Sequence, residues 1–292
     1  MTPSARQPHL ATAAVVTVSY GSIKVLPSFL KSVSIASQSR PETVVVDNLL
    51  GDNAVRELIE STDARYLPLD RNYGYGGAMN RAVKVLSENV EWILITNPDV
   101  VLGAGSLDAL VATGSTDPRI GSVGPAIWTD DLLYPSARAV PSIRTGIGHA
   151  LFANIWMSNP WSRSYRRDAE RIPSQRDAGW LSGACLLVRR SAFEELGGFD
   201  DGYFMYFEDV DLGYRLSEAG YRNVYEPKAS VTHSGAHSTN DRSSQMIAIH
   251  HQSAQRFLTR KYAGWSMWPI RTALILGLKV RSAILSRHST HH

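Results

Sequence analysis

The sequence contains one cysteine, Cys185, among 292 residues. That excludes an internal disulfide and fits a reducing compartment. Its setting in the apolar run ACLLV predicts a buried structural thiol rather than a nucleophile. Long apolar runs are also missing: no segment reaches the roughly 18–20 residues of a membrane-spanning helix. The nearest, TALILGLKVRSAIL (272–285), is interrupted by Lys279 and Arg281. Charge is nearly balanced, at +3 overall, which gives no support to a nucleic-acid partner. There is no basic-then-apolar signal pattern at the N-terminus, and residues 1–11 are expected to be a disordered lead. No internal repeat is present. No Gly-x-Gly-x-x-Gly follows the first apolar run and no Gly-Lys-Ser/Thr closes a glycine loop, which argues against nicotinamide and P-loop enzymes.

What is present is a regular alternation. With 43% hydrophobic residues the chain has enough apolar material for a sizeable core. AAVVTVSY (13–20), ETVVVDN (42–48), ARYLPLD (64–70) and EWILITNPD (91–99) read as strands, the β-branched runs being suited to burial on both faces. Helical patterns separate them. This predicts an α/β fold with an open, mostly parallel sheet flanked by helices, in which ligands bind beyond the carboxyl ends of the strands. From 129 to 178 the period is lost among prolines, aromatics and arginines, including Arg163, Arg166, Arg167, Arg171 and Arg176. A long, partly mobile functional loop is expected there. GWLSGACLLVRR (179–190) reads as one strand. Ser191 and Glu194 form a capping box before a short helix ended by Gly197–Gly198. A further helix runs from about 208 to Gly220, a strand from 223 to 234, and helical sequence beyond about 241.

The chemistry-bearing residues cluster at strand ends. Asp99 stands just after the fourth strand, beside Asn97 and Pro98, where a carboxylate suits a hard divalent cation or simply closes an Asn-Pro-Asp turn. DRNYGYGGAMNRA (70–82) offers backbone amides before a helix, as an anion site or as a plain turn. Asp47 closes the second strand as a ligand contact or a cap. FMYFEDVDLGYRL (204–216) sets Glu208, Asp209 and Asp211 against aromatic residues. Carboxylates at a helix start are favoured by its dipole, and a carboxylate against an apolar flank also becomes a better base.

The order of these segments resembles the family 2 inverting glycosyltransferases of the GT-A fold. The resemblance rests on VVTVSYG, VVVDN, RNYGYGGAMNRA, ITNPDV, the block from Trp180 to Arg222 with SGA, GGFD and FEDVDL, and VTHSGAHS. It extends over about residues 12–235 and is strongest toward bacterial rhamnosyltransferases. It implies a catalytic domain over 12–240, with a nucleotide-sugar half at 12–128 and an acceptor half at 129–240. A helical, membrane-interfacial extension would follow at 241–292. It places Ser19, Tyr20, Asp47, Arg71, Asn72, Gly74, Gly77 and Asn97 at the donor, and Trp180, Ser182 and Gly183 at the acceptor. Asp99 and His233 become ligands of Mg²⁺ or Mn²⁺, with His237 as a second choice. Asn97 replaces the first aspartate of the usual Asp-x-Asp metal motif, which removes one anionic ligand. Asp209 corresponds to the catalytic base, with Glu208 sharing the role as the alternative and Asp211 structural. The implied donor is dTDP-L-rhamnose and the acceptor a polyprenyl-diphosphate-linked N-acetylglucosamine in cell-wall linker assembly. The enzyme would then be cytoplasmic and peripheral at the inner face of the membrane, with a homo-oligomer left open. Another hexose donor (galactofuranose, glucose or galactose) and a non-catalytic nucleotide-sugar scaffold are the competing readings. Trp265 and Trp268, beside basic residues, fit either a membrane interface or packing against a partner.

Overall fold

A computed structural model of the chain describes residues 12–142, 173–234 and 244–277. The first half alternates as expected: β1 (Ala13–Ser19), α1 (Leu26–Ala36), β2 (Glu42–Asp47), α2 (Asn53–Glu60), β3 (Arg65–Pro68), α3 (Gly74–Val83), β4 (Trp92–Thr96). β5 (Val100–Leu102), α4 (Ser106–Gly114), β6 (Ile120–Thr129), β7 (Leu132–Tyr134) and β8 (Ala137–Arg138) follow. After residue 173 come β9 (Arg176–Ala178), β10 (Trp180–Leu181), β11 (Cys185–Arg189), α5 (Arg190–Glu195), α6 (Glu208–Glu218), β12 (Arg222–His233) and α7 (Ser244–Lys261).

The main sheet runs β3-β2-β1-β4-β11-β6-β12-β5, with β7 added on β6 and β9 on β12. β3, β2, β1 and β4 are parallel, whereas β11 inserts antiparallel between β4 and β6. Side chains alternate across a strand, so β1 feeds two cores. Ala14, Val16 and Val18 meet Ala78, Met79, Ala82 and Val83 of α3 and Phe193 and Phe199. Val15 joins Phe29 and Val33 of α1, Val55 and Ile59 of α2, and Leu107 and Leu110 of α4. Helices on both faces explain why these strands read as continuous apolar runs. Cys185 lies in the second core, where burial pushes its thiol up to about 12 and keeps it protonated.

Three local expectations are corrected. The segment 179–190 is two strands, because the chain turns at Ser182–Gly183–Ala184 between β10 and β11. No capping box forms at Ser191: it lies inside α5, whose N-cap is Arg189 without a side-chain hydrogen bond, and Glu194 instead accepts from Arg190. The irregular region 129–178 is ordered at both ends: β8 pairs with β10 and β9 pairs with β12. Its central arginines lie outside the described residues, as does His237.

α7 is fastened to the body by charge. Asp211 is fully buried and accepts from Arg215, from both bonds of Arg260 Nη1 (2.8 and 2.9 Å), and from the Tyr203 hydroxyl. Asp200 accepts from Arg256 and Arg260. Removing one partner of a buried pair leaves the other charge uncompensated. Asp211→Ala is therefore expected to destabilise the fold by about 3–5 kcal/mol in urea denaturation. A loss below about 1 kcal/mol, the scale of an exposed pair, would show that this cluster does not hold α7.

Candidate active site

The site is assembled around the turn between β10 and β11. Because β11 runs antiparallel beside β4, Cys185 pairs with Thr96, and the Asn97 amide donates to Ala184 O at 2.9 Å. This sets the 182–184 turn against the end of β4. The Gly183 amide donates to Asp209 Oδ2 at 2.9 Å, while Gly183 O accepts from the Tyr75 hydroxyl at 2.6 Å. α3 and the start of α6 thus meet at Gly183, and the end of β4 meets the next residue, Ala184. A Cβ on Gly183 would stand 3.3 Å from Asp209 Cβ, tighter than ordinary packing, which explains the glycine.

The start of α6 is strained. Tyr206 and Phe207 both have positive φ (69° and 67°), a region that bulky residues avoid. Such strain costs about 1–3 kcal/mol per residue and persists only where the surroundings enforce it. Here the Tyr75 amide donates to Phe204 O and the Ser253 hydroxyl to Met205 O. The Phe207 ring packs on His250 and Phe257 of α7. Gly74 (φ 71°) allows the approach, since a Cβ there would lie 2.0 Å from Phe204 O. The expected aromatic wall over the carboxylates is therefore mostly a brace. Phe204 is largely exposed and Phe207 faces α7, while Tyr206 remains close enough for the Glu208 charge, after burial, to raise its pKa.

The two carboxylates differ. Glu208 is buried, and its Oε2 has no hydrogen-bond partner among the described residues. Burial first, and the Asp209 charge second, push its pKa well up. Asp209 is half-buried, with Oδ2 on the Gly183 amide and Oδ1 on the Val210 amide. Burial raises its pKa, while these amides and the Arg138 guanidinium pull the other way. The pair titrates as a unit and holds a proton more readily than ordinary carboxylates. Asp211, as described above, is structural.

A second group lies at the ends of β4 and β12. His233 Nε2 is 3.1 Å from Asp99 Oδ1 and 3.4 Å from Asn97 Nδ2. β12 and β5 bring them together, with His233 opposite Val100 in register. The charges of Glu208, Asp209 and Asp99 all push the Tyr75 phenol upward after burial itself, so the three carboxylates converge on one side chain. Asp99 and His233, with the Asn97 side chain beside them, offer oxygen and nitrogen donors of the kind divalent cations take. No cluster of three or more His, Cys, Asp or Glu residues forms a complete cage among the described residues.

The other expected residues occupy varied positions. Tyr20 is exposed beyond β1, while Ser19 is buried and its Oγ accepts from the Ser22 amide. Asp47 is fully buried. Its carboxylate accepts from the Leu49, Gly51 and Asp52 amides and from the Tyr66 hydroxyl. These bonds shape the 49–52 loop at the end of β2. Asn72 Oδ1 accepts from Asn48 and the Gly74 amide, and Arg71 is exposed over the Tyr73 ring. Gly77 is a buried packing position in α3 rather than a surface one. Trp180 and Ser182 are buried. Trp180 donates to Ala139 O, which ties β10 to the segment after β8. Sequence reasoning passed over Asn48, Tyr75 and Arg138. Asn48 links Asn72, Tyr73 and Gly74. Its place directly after Asp47 at a strand end was the available signal.

With this geometry in view, the relationships are decisive. A family profile described as "Glycosyltransferase like family 2" matches residues 8–248. The chain belongs to this glycosyltransferase family. The N-acetylglucosaminyl-diphospho-decaprenol L-rhamnosyltransferase of Mycobacterium tuberculosis is 43% identical over 287 residues, covering 94% of this chain and 93% of that protein. The rhamnosyltransferase WbbL of Escherichia coli K12 is 29% identical, covering 73% of this chain and 82% of its own. Among solved structures, the mannosyltransferase PcManGT of Pyrobaculum calidifontis, in complex with GDP-Man and Mn²⁺, superposes with a TM-score of 0.57 at 17% identity. That match covers 98% of this chain and 77% of that one. GalNAc-T7 with UDP, GalNAc and Mn²⁺ gives 0.58 at 16%, covering 78% of this chain and 44% of the longer one. These neighbours establish the GT-A architecture of this glycosyltransferase.

The titration of Glu208 generates a prediction. A carboxyl whose folded pKa lies above its unfolded value stabilises the fold at low pH. That stability is lost as pH rises from the ordinary glutamate range through the raised folded pKa. Glu208→Gln removes the titration, so its thermal midpoint should exceed that of the parent increasingly as pH goes from about 4.5 to 8. Parallel midpoint-against-pH curves for the two proteins would contradict the burial of an ionisable Glu208.

Proposed function

We propose that the chain transfers L-rhamnose, with inversion, from dTDP-L-rhamnose to the N-acetylglucosamine of a polyprenyl-diphosphate acceptor at the cytoplasmic face of the membrane. The observation that carries the reading is the convergence of Asp209 and the Asp99–His233 pair about Tyr75 and the Gly183 peptide. The likeness over nearly the whole length to the mycobacterial rhamnosyltransferase supports the choice of sugar and acceptor.

In the reaction an acceptor hydroxyl oxygen bonds to the anomeric carbon as the bond from that carbon to the nucleotide diphosphate breaks. Asp209 takes the hydroxyl proton. Its two backbone donors fix the carboxylate orientation, and partial desolvation raises its basicity. Glu208, sealed beneath with a raised pKa, keeps the neighbouring position protonated, so that Asp209 is the group that takes the charge. Asp99 and His233, with Asn97 alongside, would hold Mg²⁺ or Mn²⁺, which when bound neutralises charge growing on the leaving diphosphate. Tyr20 and the 70–74 turn follow the carboxyl ends of β1 and β3, and in this reading they meet the nucleotide.

Membrane docking belongs to the same reading. Trp265 (87% exposed) and Trp268, Ile270 and Leu276 present apolar surface after α7, beside Arg271. No helix among the described residues is long and apolar enough to cross a membrane. Aromatic residues next to basic ones suit an anionic headgroup layer.

Asp209→Asn should lower kcat by at least about 10²-fold, the contribution of a positioned base, while calorimetric affinity for dTDP stays within about twofold. Near-parental turnover would remove Asp209 from the mechanism. W265A/W268A should co-sediment with phosphatidylglycerol vesicles several-fold less than the parent at unchanged melting temperature, since both side chains are exposed. Equal sedimentation would assign that surface elsewhere.

A further inference from the structure

Arg138 is a cation without an evident structural task. It lies on β8, paired with Trp180 of β10. Its guanidinium sits 5.2 Å from the Tyr134 ring and 5.3 Å from the Trp180 ring, and Nε donates to Pro135 O at 2.6 Å. Among the described residues, both terminal nitrogens of the fork are without a hydrogen bond and no carboxylate pairs with the side chain. Other half-buried arginines here do have such partners: Arg215 binds Asp211, Leu196 O and Gly198 O, and Arg189 binds Ile120 O and Gly114 O. The Arg138 charge is felt at Asp209, where it opposes the basicity that transfer requires. A guanidinium packed against two rings, on the strand paired with β10 and with the ends of its fork open, matches a bidentate phosphate ligand.

We propose that Arg138 forms an anion subsite for the diphosphate of the lipid-linked acceptor. The assignment rests on the transferase reading above for the acceptor's chemistry. Its choice of acceptor over donor comes from connectivity. The 138–141 segment is tied to Trp180 through Ala139 O and to the end of α7 through Lys261, which donates to Pro141 O. Lys261 is four residues before Trp265, at the surface expected to meet lipid. A polyprenyl diphosphate is anchored on that side. The Asp99–His233 pair lies instead at the ends of β4, β5 and β12.

The test is calorimetric titration of the full chain with farnesyl diphosphate and, separately, with dTDP, for the parent, Arg138→Gln and Arg138→Lys. Arg138→Gln should weaken farnesyl diphosphate by about tenfold or more, the scale of one lost charge-assisted contact. Arg138→Lys should fall between, and dTDP should change by less than about twofold. In parallel, transfer is measured to N-acetylglucosaminyl-diphospho-farnesol and to the same sugar on farnesol without diphosphate. Arg138→Gln should raise KM only for the first. Selective weakening of dTDP would move Arg138 to the donor, and equal loss on both acceptors would make it a structural residue; either overturns the proposal. Lack of transfer by the parent, with Arg138-dependent farnesyl diphosphate binding intact, would instead count against the rhamnosyltransferase reading alone.

Discussion

Residue Gly183 is the constraint on which the site depends. Its amide holds Asp209, its carbonyl holds Tyr75, and the next residue holds the end of β4 through the Asn97 amide. Each bond is modest alone, but together they tie three elements far apart in sequence into one rim. The insertion of β11 antiparallel between β4 and β6 makes this possible, because it returns the chain to the carboxyl end of β4. A parallel strand would have ended there, delivering a following loop rather than this preceding turn.

The strained entry to α6 is the counterpart of that constraint. Two successive left-handed aromatic residues would relax in an isolated segment. They are held by Gly74, by Ser253 and by the ring contacts of α7, and α7 in turn is held by Asp200 and Asp211. The same helix leads to the exposed tryptophans. The carboxylates at the start of α6 and the proposed lipid-facing surface thus share one mechanical support.

Electrostatically, the site sets like charges close together in a poorly solvated place. Glu208, Asp209 and Asp99 all act on Tyr75, and Glu208 has an unpartnered oxygen. Burial favours protonation of the pair, while backbone donors and Arg138 favour the charged form of Asp209. Burial and the backbone donors thus act on Asp209 in opposite directions, burial being the larger influence.

The first half of the fold was legible in the sequence because buried parallel strands and their helices leave periodic apolar runs, as in AAVVTVS and ETVVVD. The strand-end location of Asp99 and the structural character of Cys185 follow from the same patterns. What the sequence by itself determined is therefore the local alternation, and with it the side of the sheet where chemistry must lie. Only tertiary structure decided which polar residues face that side. Asp47 and Trp180 hydrogen-bond to neighbouring segments, Tyr75 bonds Gly183 O, and Arg138 packs on the Trp180 ring. The false capping box at Ser191 and the break at Gly183 have one cause: the antiparallel insertion of β11 imposes backbone geometry that no nearest-neighbour pattern encodes. Contacts across more than a hundred residues, such as Tyr75 to Gly183, depend on chain topology, and periodicity contains no record of it.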